Sequence, residues 1–293
     1  MRKITTSGVI LAGAVPAAAL LLVSCGSDAL HPVVLNGHYG YIDHSGKIVV
    51  TPQFDAAGEF AQGLAPVQMN GKWGYIDRSG KLIVSTQFDL ADPFSSDGLA
   101  VVGTNGALGY VKKDGRYAFQ QTYEGAGEFG DHLAPVLVNG RWGYIDPKGA
   151  PVIMPQFDEA SSFSEGLAAV RVGNEHGYID KSGKLVINPQ FEVAGDFHDG
   201  RAVVSSAGRY GYVDKDAKFV IQPQFNAAGD FNEGLALVGV GPRFGFIGTD
   251  GKFEINPQFD KAGTFHDGLA PVWLAGKEGY IDKQGKYVWN PTA

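Results

Sequence analysis

The chain of 293 residues has one cysteine, Cys25, so no internal disulfide can staple it. Beyond its first two dozen residues it has no apolar run long enough to span a bilayer as a helix. Basic residues are no denser in one stretch than another. Once the first 24 residues are set aside, 22 bases face 31 acids, a balance that disfavours binding to a phosphate backbone and argues against a nucleic-acid partner. No nucleophile elbow, zinc-binding helix, phosphate loop or Gly-rich dinucleotide fingerprint occurs, so no catalytic residue, metal or cofactor is assigned. The seven histidines fall at different places in the pattern described below and read as exposed turn residues; only His198 and His266, each between a Phe and Asp-Gly, approach equivalence.

The abundant residues are glycine, 42 in all, and aromatics at 12%. Glycine supplies tight turns and aromatics fill pleated faces, so the composition favours an all-β protein over a helical bundle.

Arg2 and Lys3 precede an uncharged stretch whose apolar part, Val9 to Val23, suits a secretory signal and is short for a spanning helix. Leu22-Val23-Ser24-Cys25 then resembles a bacterial lipobox, in which the cysteine sulfur takes a diacylglyceryl group. The expected organisation is a signal peptide over 1–24, a linker over 25–30 after lipidated Cys25, and a β domain over 31–293. Gly26 after the cysteine, by resemblance to lipoproteins of two-membraned bacteria, permits sorting to the outer membrane. The membrane is thus one expected partner, reached through a lipid anchor.

The string Trp73-Gly74-Tyr75-Ile76-Asp77 recurs eight times, from Tyr39–Asp43 to Glu278–Asp282. Its glycine is spaced 34 residues each time, except 35 between Gly74 and Gly109. The extra residue falls in the polar loop Ser95-Ser96-Asp97-Gly98. Each unit reads as three strands: Leu64 to Gln68, a turn at Asn70-Gly71, Lys72 to Asp77, a turn at Arg78 to Lys81, and Leu82 to Val84. Asp77 and Gly80 suit the two ends of a type I turn, so that aspartate column reads as turn chemistry rather than as calcium ligands. Pro32, Pro66, Pro135 and Pro271 argue for an edge position of the first strand, and Pro52, Pro155, Pro189, Pro223, Pro257 or Pro291 closes the third. Connectors such as 189–197 are expected to anchor through Phe191 and Phe197. Alternation places Gly74 where a neighbouring sheet approaches closely.

With these residues the chain resembles the WG-repeat family, also called KWG after the Lys72-Trp73-Gly74 signature, over residues 31–291. The resemblance implies a β-rich repeat domain, often on secreted or surface proteins, and carries no catalytic residues. The signature departs from tryptophan at Tyr39, Leu108, His176, Tyr210, Phe244 and Glu278; the unit with Leu108 and Lys112 diverges most.

The expected fold is an all-β tandem repeat of eight three-stranded antiparallel meanders, a β-propeller-like toroid, with an open curved solenoid-like stack as the alternative. Stacking buries what a lone meander cannot. Repeated aromatics such as Trp73, Trp142, Tyr75 and Tyr144 read as core. Residues outside the repeated columns are the candidates for partner binding: Trp273, Trp289, His176 and Arg243, with Glu278 and the 104–108 loop. The expected function is a non-enzymatic binding or scaffolding module of the cell envelope for a protein, peptide or glycan. The alternative is an envelope glycan hydrolase or lyase.

Overall fold

The computed structural model describes residues 29–292. The expected signal peptide, Cys25 and most of the linker lie outside them. Among the described residues there is no helix, and the strands form eight small antiparallel sheets in chain order, the blades of a β-propeller. The chain divides into two compact units at Phe163 and Ser164.

Each meander forms as its turns dictate. Asn70 and Gly71 both take positive φ, 53° and 75°, as a two-residue hairpin turn with the twist of its strands requires. Leu64–Met69 then pairs in register with Lys72–Asp77, Leu64 opposite Asp77 and Met69 opposite Lys72. At the second turn the Asp77 carboxylate accepts the Ser79 N–H, the Ser79 hydroxyl and the Lys81 N–H, while Gly80 N–H bonds to the Asp77 carbonyl. Asp43 and Asp180 do the same, and the serine hydroxyl in each case holds the carboxyl below its usual range. The turn reading of these aspartates stands.

Three expectations need correction. First, six of the eight sheets are four-stranded. The second half of each connector contributes a short strand, as when Ala56–Ala57 pairs with Gln68 and Val67. The first strand of the meander is therefore not an edge where Pro66, Pro135 and Pro271 lie; in sheet 1, Leu30–Leu35 with Pro32 is an edge strand, as expected. Pro66 fits because its carbonyl accepts the Gly58 N–H, so its missing donor faces the connector just past the short strand's end. The connector strands are longer, Val193–His198 and Ala227–Asn232, in the sheets with Val203 and Leu237 at that position, while Val101 and Ala169 there leave them at two residues.

Second, the later prolines do not close the third strand. Ile48–Phe54 and Leu185–Phe191 run through Pro52 and Pro189, which sit in a bulge. Two steps on the central strand, Tyr75 to Trp73, face four on the third, Val84 to Phe88.

Third, the motif glycine makes room for that bulge and not for a neighbouring sheet. A Cβ on Gly74 would lie 2.4 Å from the Val84 carbonyl oxygen and 2.8 Å from the Thr86 nitrogen. Sheet 3 shows the converse. Its third strand is missing, only bridges at Tyr117 and Tyr123 remain, and the Tyr117 ring lies over Gly109 instead. The one-residue insertion forms a turn in which Ser95 N–H and hydroxyl both bond to the Leu99 carbonyl.

Both faces of the central strand are buried: Tyr75 and Ile76 are each wholly enclosed. Within the first unit, Tyr41, Val50 and Phe54 of sheet 1 pack on Ala65, Val67 and Ile76 of sheet 2, and Tyr75, Val84 and Phe88 continue onto sheet 3. In the second, Tyr212, Ile221 and Phe225 of sheet 6 pack on Ala236, Val238 and Ile247 of sheet 7. Each such side chain contributes about 1.5–3 kcal/mol on burial. The motif tyrosine also fixes the connector ahead of it. Tyr75 Oη donates to the Asp92 carbonyl at 2.7 Å, Tyr178 to Gly195 at 2.9 Å and Tyr212 to Gly229 at 2.8 Å, and the Tyr178 ring packs on Phe197 at 4.8 Å. Connector phenylalanines are therefore anchors, as expected.

Candidate functional site

Because paired residues on antiparallel strands share a face, each sheet carries a cross-strand rung near its first hairpin turn. In sheet 2 the rung is Ala56, Gln68, Trp73 and Phe88; in sheet 7 it is Ala227, Gly239, Phe244 and Phe259. Sheet 5 sets Arg171 and His176 at the middle positions, and sheet 8 sets Lys261, Trp273 and Glu278 there. Trp273 and Glu278 are half-buried and Lys261 is exposed. Loss of water around the Glu278 carboxyl raises its pKa to about 7, so its charge changes near neutrality.

Trp289 lies on the outer strand of the same sheet, opposite Tyr280, which is two residues from Glu278. Pairing therefore places Trp273, Glu278 and Trp289 on one face, an association that sequence distance conceals. His176 is apart from them, in sheet 5 between Arg171 and Phe191.

Arg243 belongs elsewhere. Its guanidinium bonds to Asp260, whose other oxygen accepts the Ala275 N–H of the sheet 8 hairpin. Lys72 with Asp89 and Arg141 with Asp158 repeat this pairing, and Asp89 likewise caps Asn105. The pair is a staple between successive sheets. The constant interval of 17 residues from base to acid was the available signal.

Sequence reasoning also missed an acidic column immediately before the connector phenylalanines: Glu59, Glu128, Asp196 and Asp230. In the second unit, Asp196 N–H bonds to the Asp230 carboxyl; burial first, then the neighbouring Asp196 charge, raises the Asp230 pKa well above its ordinary value. In the first unit burial raises Asp92 to about 6. Asp92 and Asp230 are therefore suited to holding protons.

A shallow cavity of about 530 Å³ opens in the second unit where Gly248 replaces the turn aspartate. Glu233, Asp250, Glu254 and Lys283 line it, and Lys283 Nζ pairs with the Glu233 carboxylate at 3.0 Å. Several histidines depart from the exposed-turn reading, His176 and His266 being half-buried as well as the two that follow. His31 is buried within the first strand, Leu30–Leu35, and burial lowers the His198 pKa, with its Nδ1 3.3 Å from the Ser164 hydroxyl.

Comparison with known proteins adds two kinds of likeness. The profile described as WG containing repeat matches residues 39–73, 73–106, 142–175, 177–209, 210–241 and 244–277. It passes over residues 107–141, which hold the sheet without a third strand. Among solved structures, the dihydro-heme d1 dehydrogenase NirN in complex with DHE superposes with a TM-score of 0.60 at 14% identity, over 94% of this chain and 77% of that one. A eukaryotic initiation factor gives 0.53 at 12% identity, over 89% and 84%. At such identities the likeness is one of fold alone. No curated protein matches the chain in sequence.

Proposed function

The chain belongs to the WG-repeat family, and from that premise we propose that it is a non-catalytic binding or scaffolding module, tethered to the cell envelope through lipidated Cys25. Its partner is an envelope protein, peptide or glycan, held where half-buried Trp273 and Glu278 of sheet 8 lie beside exposed Lys261.

The observation that supports this reading is the broken rung. The recurring polar residues have structural employment: the aspartates close turns, the tyrosine hydroxyls hold connectors and the base–acid pairs staple sheets. A rung that sets Lys261 and Glu278 on either side of Trp273, where sheet 7 has Ala227, Gly239 and Phe244, serves none of these purposes. Half-buried tryptophan beside a carboxyl and an ammonium group offers stacking area together with a donor and an acceptor, the usual make-up of a recognition hot spot.

Capture from envelope extract by the full chain, compared with Trp273→Ala, tests the proposal. A partner retained by the parent and lost by a variant of unchanged melting temperature supports it. A glycan-hydrolysis activity abolished by one carboxylate substitution would favour an enzyme instead.

A further inference from the structure

The second turn of a meander delivers a lysine and then two apolar residues, as in Lys47-Ile48-Val49, Lys81-Leu82-Ile83 and Lys184-Leu185-Val186, and the first two of these belong to the sheets at the start of the described chain. Core packing does not require these pairs, because the next residues, Val50 and Val84, supply the buried contact. Ile48, Val49, Leu82 and Ile83 are 38–45% exposed on the last strand of each sheet's order, which has no partner on its outer side. Consecutive exposed apolar residues at a bare sheet edge invite aggregation unless something covers them.

The first described residues meet the same end of the molecule. Leu30 is paired with Asp43 and Ile42 with Ile48, so the chain enters at the same end of sheet 1 as the Ile48-Val49 pair, with the central strand between them. The sheet 2 turn lies against it as well, because the Cβ position of Gly80 is 3.0 Å from Val50 Cγ1. Cys25 precedes Ala29 by four residues, which span at most about 14 Å when extended. An acyl anchor at Cys25 therefore holds Ala29 within that reach of a bilayer surface, and the Ile48-Val49 pair lies two strand spacings, about 10 Å, further across sheet 1.

The geometry points to the outer edge of sheets 1 and 2 as a membrane-docking surface. Ile48, Val49, Leu82 and Ile83 enter the headgroup boundary, and Lys47 and Lys81 meet anionic phospholipid headgroups, the arrangement of apolar and basic groups that an interface favours. This inference rests on the lipid-anchored reading above.

The test is amide exchange of the acylated full chain on vesicles containing about one-third anionic phospholipid, against the soluble Cys25→Ala chain. Segments 47–50 and 81–84 are expected to exchange about fivefold more slowly on the vesicles, since their outward amides lose water there. The double variant Val49→Asp, Ile83→Asp should keep its acyl chains and its melting temperature and lose that protection. Unchanged exchange at both segments with Cys25 acylated, or protection that survives the double variant, overturns the docking surface while leaving the anchor intact. A Cys25 without acyl mass in the processed protein overturns both.

Discussion

Gly74→Ala isolates the steric demand at the centre of the repeat. The glycine has an ordinary strand conformation, so the substitution strains no dihedral angle, and its effect is contact alone. The new Cβ would meet the Val84 carbonyl oxygen at 2.4 Å and the Thr86 nitrogen at 2.8 Å, backbone atoms of a bulge that cannot swing aside. Overpacking a well-filled site costs about 1–3 kcal/mol, and a backbone obstacle puts this site at the upper end, about 3 kcal/mol. Gly109→Ala is the matched control. At the same motif position its Cβ meets the Tyr117 ring at 3.0 Å, and that half-exposed side chain can turn away. Its cost should stay near 1 kcal/mol. For a chain of this size each kcal/mol moves the melting temperature by about 2–4 °C, so thermal unfolding should separate the variants by several degrees. Equal shifts for the two, or a Gly74→Ala protein that melts with the parent, would refute the account of why the motif carries glycine.

Tyr178→Phe removes the donor to the Gly195 carbonyl and should cost about 1–2 kcal/mol in urea unfolding; a loss no larger than that of an exposed substitution would show the bond to be idle. Asp92 has its pKa raised from 3.8 to about 6 in the folded chain, so ionising it opposes folding. Stability should fall as pH rises between those values and level off above, and Asp92→Asn should flatten that slope; parallel curves for parent and variant would contradict this. Arg243→Ala breaks an exposed pair and should cost no more than about 1 kcal/mol, matching Lys72→Ala; a much larger loss at Arg243 alone would mean the two staples are not equivalent.

What the sequence alone determined were the features set by neighbours along the chain. Asn70-Gly71 needs positive φ at two successive residues, and the Asp77 carboxylate bonds within four residues of itself, so hairpins, turns and the 34-residue period could be read directly. So could the weakness of the unit around Leu108, where the third strand is absent. The tertiary structure decided the features set by partners distant in sequence. The fourth strand exists because Ala56 and Ala57 find Gln68 and Val67, and Gly74 is required because a strand ten residues later bulges across it. Arg243 became a staple when sheet 7 met the connector of sheet 8. Trp273, Glu278 and Trp289 came to share a face because three strands paired in one register, and hydrophobic periodicity within a strand holds no information about the register of its neighbours.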